Sequence, residues 1–104
     1  MELPGKKMKK IHIEAKVPVL FMKEEKSFIA YSPAIDLSSC GRTVLEAKAN
    51  FEEALGIFIE ECLSMGTLKE VLESCGWTKT RKNGWFPPVV VGQDSVDIPH
   101  AAMA

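Results

Sequence analysis

The sequence predicts a small α+β domain: a three- or four-stranded, mainly antiparallel sheet with one long helix across a face. Three observations lead there. Two stretches rich in β-formers, within "KIHIEAKVPVLFMK" and "SFIAYS", are joined only by the charged turn "KEEKS". A sharply capped segment with helical apolar spacing follows, from Thr43 to Gly66. A second, shorter helix and a tryptophan-flanked Asn-Gly segment complete the order.

In the first element Ile11, Ile13, Ala15 and Val17 share one face, and His12, Glu14 and Lys16 the other. Pro18 interrupts this alternation, which predicts a long bent strand or two short collinear pieces. The hairpin partner is Ser27 to Ser32, and a third short strand is expected near Leu37 to Arg42. Thr43 and Glu46 have the spacing of a capping box, in which hydroxyl and carboxylate each satisfy a free amide at the helix start. Apolar residues at 44, 47, 51, 54, 55, 58, 62 and 65 define one helical face, and Gly66 stands where a left-handed residue ends the helix. Thr67 and Glu70 repeat the capping spacing. They open a helix whose apolar side is Leu68, Val71, Leu72 and Cys75, closed by Gly76. In "GWTKTRKNGWFPPVVVG" a hairpin is expected around a tight Asn83-Gly84 turn, held to the body by Trp77 and Trp85 and ended by Pro87-Pro88. From Gly92 onward a tail or peripheral strand is expected.

The 104 residues fit one domain, with a core over 10–77 and a hairpin and tail over 77–104. With 13 basic and 14 acidic residues the net charge is −1, which offers no whole-molecule grip on nucleic acid. The three cysteines, Cys40, Cys62 and Cys75, have neither the number nor the spacing of a disulfide framework or a tetrahedral metal site. The basic start is not followed by the apolar core of a secretory signal, and no apolar run approaches the ~20 residues of a membrane span. A cytoplasmic protein with no membrane association is expected.

Candidate chemistry is sparse. Ser38, Ser39 and Cys40 are possible nucleophiles by type, but only His12 and His100 exist as bases and no nucleophile-elbow pattern is present. A turn and a cap account for the same residues, with Asp36 and the two serines satisfying loop backbone. No catalytic residue and no cofactor is expected. Glu14, Asp36 and Glu52 are the carboxylates that would have to converge for a metal-dependent nuclease, the alternative enzymatic reading. Lys6, Lys7, Lys9 and Lys10, and Lys79, Arg81 and Lys82, are basic clusters suited to phosphate, with Trp77 or Trp85 as stacking surfaces. That makes a small module binding DNA or RNA a further alternative. Gly56, Ile59 and Leu63 lie together beside the main apolar stripe of the long helix. They mark either a wide core stripe or a self-association surface where another backbone approaches the glycine.

The run "FIAYSPAIDLSSCGRTVLEAKANFEEAL" resembles the core of the HicB-type antitoxin family. The likeness rests on aromatic-rich paired strands, Pro33, Gly41-x-Thr43, Glu46-Ala47 and the "NFEEAL" helix, and it extends over about Ile11 to Trp77. The resemblance implies a partial ribonuclease H-like fold without catalytic carboxylates. It also implies a non-enzymatic protein that binds and silences a small basic RNA-cleaving toxin of HicA type, and assembly as a dimer or tetramer. Many members carry a C-terminal DNA-binding segment, whereas no recognisable DNA-binding helices follow Trp77. In place of the family's frequent Pro-Asp-Leu-Pro-Gly-Cys turn this chain reads Pro33-Ala34-Ile35-Asp36-Leu37-Ser38-Ser39-Cys40-Gly41. The expected mechanism is occlusion, with Glu24, Glu25, Glu52, Glu53, Glu60 and Glu61 steering a basic partner by charge.

Overall fold

The computed structural model describes residues 16–80 and 84–99. The expected strand residues Ile11, Ile13 and Ala15, the N-terminal lysines, His12, Glu14, Arg81, Lys82, Asn83 and His100 lie outside them. The fold is α+β. Strands β1 (Leu20–Glu24), β2 (Ser27–Ser32) and β3 (Leu37–Gly41) form an antiparallel sheet in that order. Helices α1 (Val44–Met65) and α2 (Leu68–Ser74) follow, then a separate hairpin of β4 (Thr78–Lys79) and β5 (Trp85–Phe86).

Strand β1 starts two residues after Pro18, so the ladder begins where the missing amide no longer matters. It pairs with β2 up to Glu24 opposite Ser27, leaving Glu25 and Lys26 as a two-residue turn with Glu25 at φ 43°. That left-handed residue matches the twist a two-residue hairpin needs. The register then sorts the side chains. Phe21, Ala30 and Ser39 stand on one face, with Phe28 and Ser32 beside them, whereas Met22, Ile29, Cys40, Leu20, Tyr31 and Ser38 stand on the other. Helix α1 covers the first face, over β3 and β2, and leaves β1 largely bare.

The start of α1 is the predicted capping box in nearly the predicted form. Thr43 is extended, and its hydroxyl accepts from Glu46 N at 3.0 Å. The Glu46 carboxylate accepts at 2.6 Å from the amide of Arg42, one residue earlier than the usual box. At the other end Gly66 has φ 71°, Gly66 N donates to Leu63 O and Thr67 N to Cys62 O, a complete Schellman closure. Gly76 closes α2 in the same way, with Trp77 N donating to Leu72 O. The second capping box does not form. Thr67 is already the last residue of the first closure, with ψ 3° instead of an extended backbone, and its side chain caps nothing. One residue cannot hold both geometries.

The core gathers Ala30, Ile35, Ala47, Phe51, Cys62, Leu68 and Leu72 with both tryptophans. The predicted stripe of α1 is right in its middle and wrong at its ends: Ala47, Phe51 and Cys62 are buried, but Val44 and Met65 are exposed, because the helix is longer than the three strands beneath it. In the hairpin Lys79 lies opposite Trp85 and Thr80 N donates to Gly84 O at 2.9 Å. A two-residue Asn83-Gly84 turn would instead place Lys82 opposite Trp85, so the connection is longer than expected. Both indoles are buried, and that burial selects the register.

Candidate functional site

Three features converge where β2 passes into β3. Ser32 is buried, and its hydroxyl accepts from Ala34 N at 3.3 Å. The Trp77 indole donates to Ala34 O at 2.7 Å, tying this turn to the end of α2 across 43 residues of sequence. Asp36, at φ 53°, accepts the Tyr31 hydroxyl at 2.9 Å. The expected satisfaction of this loop by Asp36, Ser38 and Ser39 is therefore replaced. Ser32 takes the backbone role and Asp36 holds a side chain, because the strand register sends Tyr31 and Ser38 to the open face of the sheet. Aspartate is one of the few residues that tolerate a left-handed backbone.

The hydrogen bond to Asp36 first, desolvation next and the Asp36 charge after it raise the Tyr31 phenol above its ordinary value. The protonated phenol is the form stabilised in the fold. This contribution is therefore complete below the unfolded value near 10 and vanishes as pH rises through the folded one. Tyr31 is the only tyrosine, so phenolate absorbance reads it alone. In Asp36→Asn the midpoint is expected to fall back toward 10; an unchanged midpoint would show that Asp36 does not hold the phenol.

Of the three carboxylates considered for metal, Glu14 lies outside the described residues, and Asp36 and Glu52 do not meet. Asp36 reaches the open face of the sheet through Tyr31, whereas Glu52 projects from α1 on the opposite side, and among the described residues no three metal-ligating side chains cluster. The tryptophans offer no stacking platform either, since both rings are in the core; Lys79 Nζ instead lies 5.9 Å from the centre of the Trp85 ring. Cys40 and Ser38 are exposed, and the Cys40 carbonyl accepts from Asn50 Nδ2 at 2.8 Å, which pins β3 to α1.

A groove of about 1070 Å³ runs between β1 and the flank of α1. Val17, Val19, Phe21, Leu55 and Ile59 line it over Phe51, Ile35 and Trp77, and Lys16, Lys48, Glu52 and Glu60 stand at its rim. It exists because α1 is set over β2 and β3. Gly56 is on this wall, and a Cβ added there would meet nothing within 4 Å. Among the described residues, therefore, no backbone outside α1 approaches Gly56; Ile59 is half-buried and Leu63 exposed. Periodicity gives the face of a helix but not which neighbour is missing from it, so the sequence did not reveal the groove.

The six glutamates occupy three places. Glu52 and Glu60 stand at the groove rim of α1, and Glu53 and Glu61 lie on its solvent side with the exposed Ile57, which Glu60 also adjoins. Glu24 and Glu25 are at the β1–β2 turn, the end of the sheet where β3 hands over to α1, about 24 Å of helix rise from Glu60. No protein-family model, curated protein or solved structure matches this chain. Among the described residues no helix is long and apolar enough to cross a membrane.

Proposed function

We propose that this chain is a non-enzymatic, antitoxin-like binding protein, built on a partial ribonuclease H-like fold, that silences a small basic RNA-cleaving protein of HicA type by covering its active surface. The observation that carries this reading is the charge of α1. It holds five glutamates and one lysine, a net −4 on one helix of a chain whose total is −1. Glu53, Ile57, Glu60 and Glu61 recur at positions i, i+4, i+7 and i+8, so acids surround one exposed apolar side chain. Such a ridge suits a cationic partner: the acids steer the encounter and the isoleucine supplies a contact that excludes water. The resemblance of "FIAYSPAIDLSSCGRTVLEAKANFEEAL" to HicB-type antitoxins names the class of partner.

Affinity capture from the native cell tests the proposal. The expected result is near-stoichiometric recovery of a small basic protein whose ribonuclease activity is absent in the complex and returns on dissociation. Glu53→Lys, Glu60→Lys and Glu61→Lys combined should slow association about tenfold or more at low salt and reduce its salt dependence. Recovery of the folded bait alone, or RNA cleavage undiminished when the bait saturates the partner, would exclude this function. Reversal at Glu24 and Glu25 probes a separate patch; an unchanged association rate there removes those two residues from the steering surface.

A further inference from the structure

Two unpartnered apolar features of this fold match each other. Among the described residues β1 is hydrogen-bonded on one side only, to β2, and its three apolar residues Leu20, Phe21 and Met22 are between 38% and 50% exposed. They project to both faces of the sheet, Phe21 into the groove and Leu20 and Met22 onto the open face. An exposed edge of this kind is a template for another strand. The second feature is the C-terminal segment. After β5 the chain runs from Pro87 to Pro99 without regular structure, and Val89 and Val91 are 73% and 93% exposed. Paired as a strand, three consecutive β-branched residues would be apolar on both faces, which is useful only where both faces are covered.

We infer that this chain forms a two-fold dimer by exchanging C-terminal strands: Val89–Val91 of each copy adds antiparallel to the free edge of β1 in the other. The lengths agree, since 16–24 and 89–98 each span about 30 Å when extended. With Val90 opposite Phe21, Val90 enters the groove while Val89 and Val91 cover Met22 and Leu20 on the open face. The same register sets Gly92 opposite Val19 and Asp94 opposite Val17, next to Lys16, so an acid of the tail meets a cation of the groove rim. The segment also starts in the right place. A Cβ at Gly76 would lie 3.7 Å from Pro88 Cγ, so the tail leaves the body beside Trp77, itself on the groove wall. Reciprocal exchange is isologous and closes at two copies. It leaves Glu53, Ile57 and Glu61 in solvent and shares only the rim residue Glu60 with the surface proposed above for a cationic partner.

Analytical ultracentrifugation of the full chain is the test, read together with isotope-filtered NMR on a mixture of differently labelled copies. The wild type is expected at twice the 11.5 kDa chain mass, with intermolecular contacts between Val90 and Phe21. Val89→Lys/Val91→Lys changes only exposed tail residues, and Gly56→Phe adds a ring to the groove wall at a position where a Cβ meets nothing within 4 Å. Each variant is expected to keep the wild-type circular dichroism and to run at the mass of one chain. A wild type that is monomeric at NMR concentrations, a dimer that survives both variants, or Val90–Phe21 contacts found within a single chain would each overturn the exchange.

Discussion

Phe51→Ala is expected to destabilise the protein by about 3–5 kcal/mol, the range for removing a buried aromatic ring and leaving a cavity. Phe51 is 2% exposed and stands in the N-terminal half of α1 in the same cluster as Ala30, Ala47 and Ile35. Its neighbours in that cluster include alanines, which have no side-chain atoms to move into the space. A chain of this size gains roughly 5–15 kcal/mol on folding, so the loss is a large share of the total. The melting temperature should fall by at least about 12 °C, and the urea midpoint should drop without a change in slope. Buried Trp77 and Trp85 make fluorescence a convenient reporter for that titration. A loss under 1 kcal/mol would mean that the helix does not rest on the sheet through this residue.

The second large effect is expected at glycine, and its sign depends on position. A Cβ at Gly41 would lie 2.6 Å from Ala47 N, 2.8 Å from Glu46 C and 2.9 Å from Glu46 Cβ. Two of these are backbone atoms of the first turn of α1, which cannot rotate aside. Gly41→Ala should therefore cost at least the 1–3 kcal/mol typical of overpacking, since relief requires β3 to separate from the helix start. Gly56→Ala is the control. It lies inside a helix with nothing within 4 Å of the new methyl, so it should stabilise by about 0.5–1 kcal/mol. Denaturation of the two variants side by side checks both signs. Equal effects at the two positions would mean that helix propensity, and not the close approach at Gly41, governs them.

These two glycines also show how far the sequence could be read. Gly41 belongs to the run that suggested a family resemblance, yet the reason only glycine fits there is the backbone of Glu46 and Ala47 across a turn. Gly56 invited two readings, a wide core stripe or a self-association surface; among the described residues the position borders open space, so it is not core. Asp36 was a candidate metal ligand on composition and is a partner of Tyr31 in the fold. The spacing of the acids on α1 was visible, but which of them face solvent follows from the helix orientation that Phe51 and Ala47 impose.

What the sequence by itself determined is local. The caps at Thr43, Gly66 and Gly76, the extent of α1, the β1–β2 turn and the stop at Pro87 all depend on groups within a few residues of each other, so neighbouring residue types specify them. The tertiary structure decided everything that joins distant segments. The Trp77 bond to Ala34 spans 43 positions, the burial of both indoles chooses the β4–β5 register, and the offset of α1 toward β3 opens the groove beside β1. No periodicity encodes these, because a helix or strand pattern states which side chains must be covered and leaves the covering partner to packing. The second capping box is absent for a local reason of its own: Thr67 N closes α1 on Cys62 O while Thr67 O accepts from Val71 N in α2, and the ψ of 3° at this junction leaves the hydroxyl capping nothing.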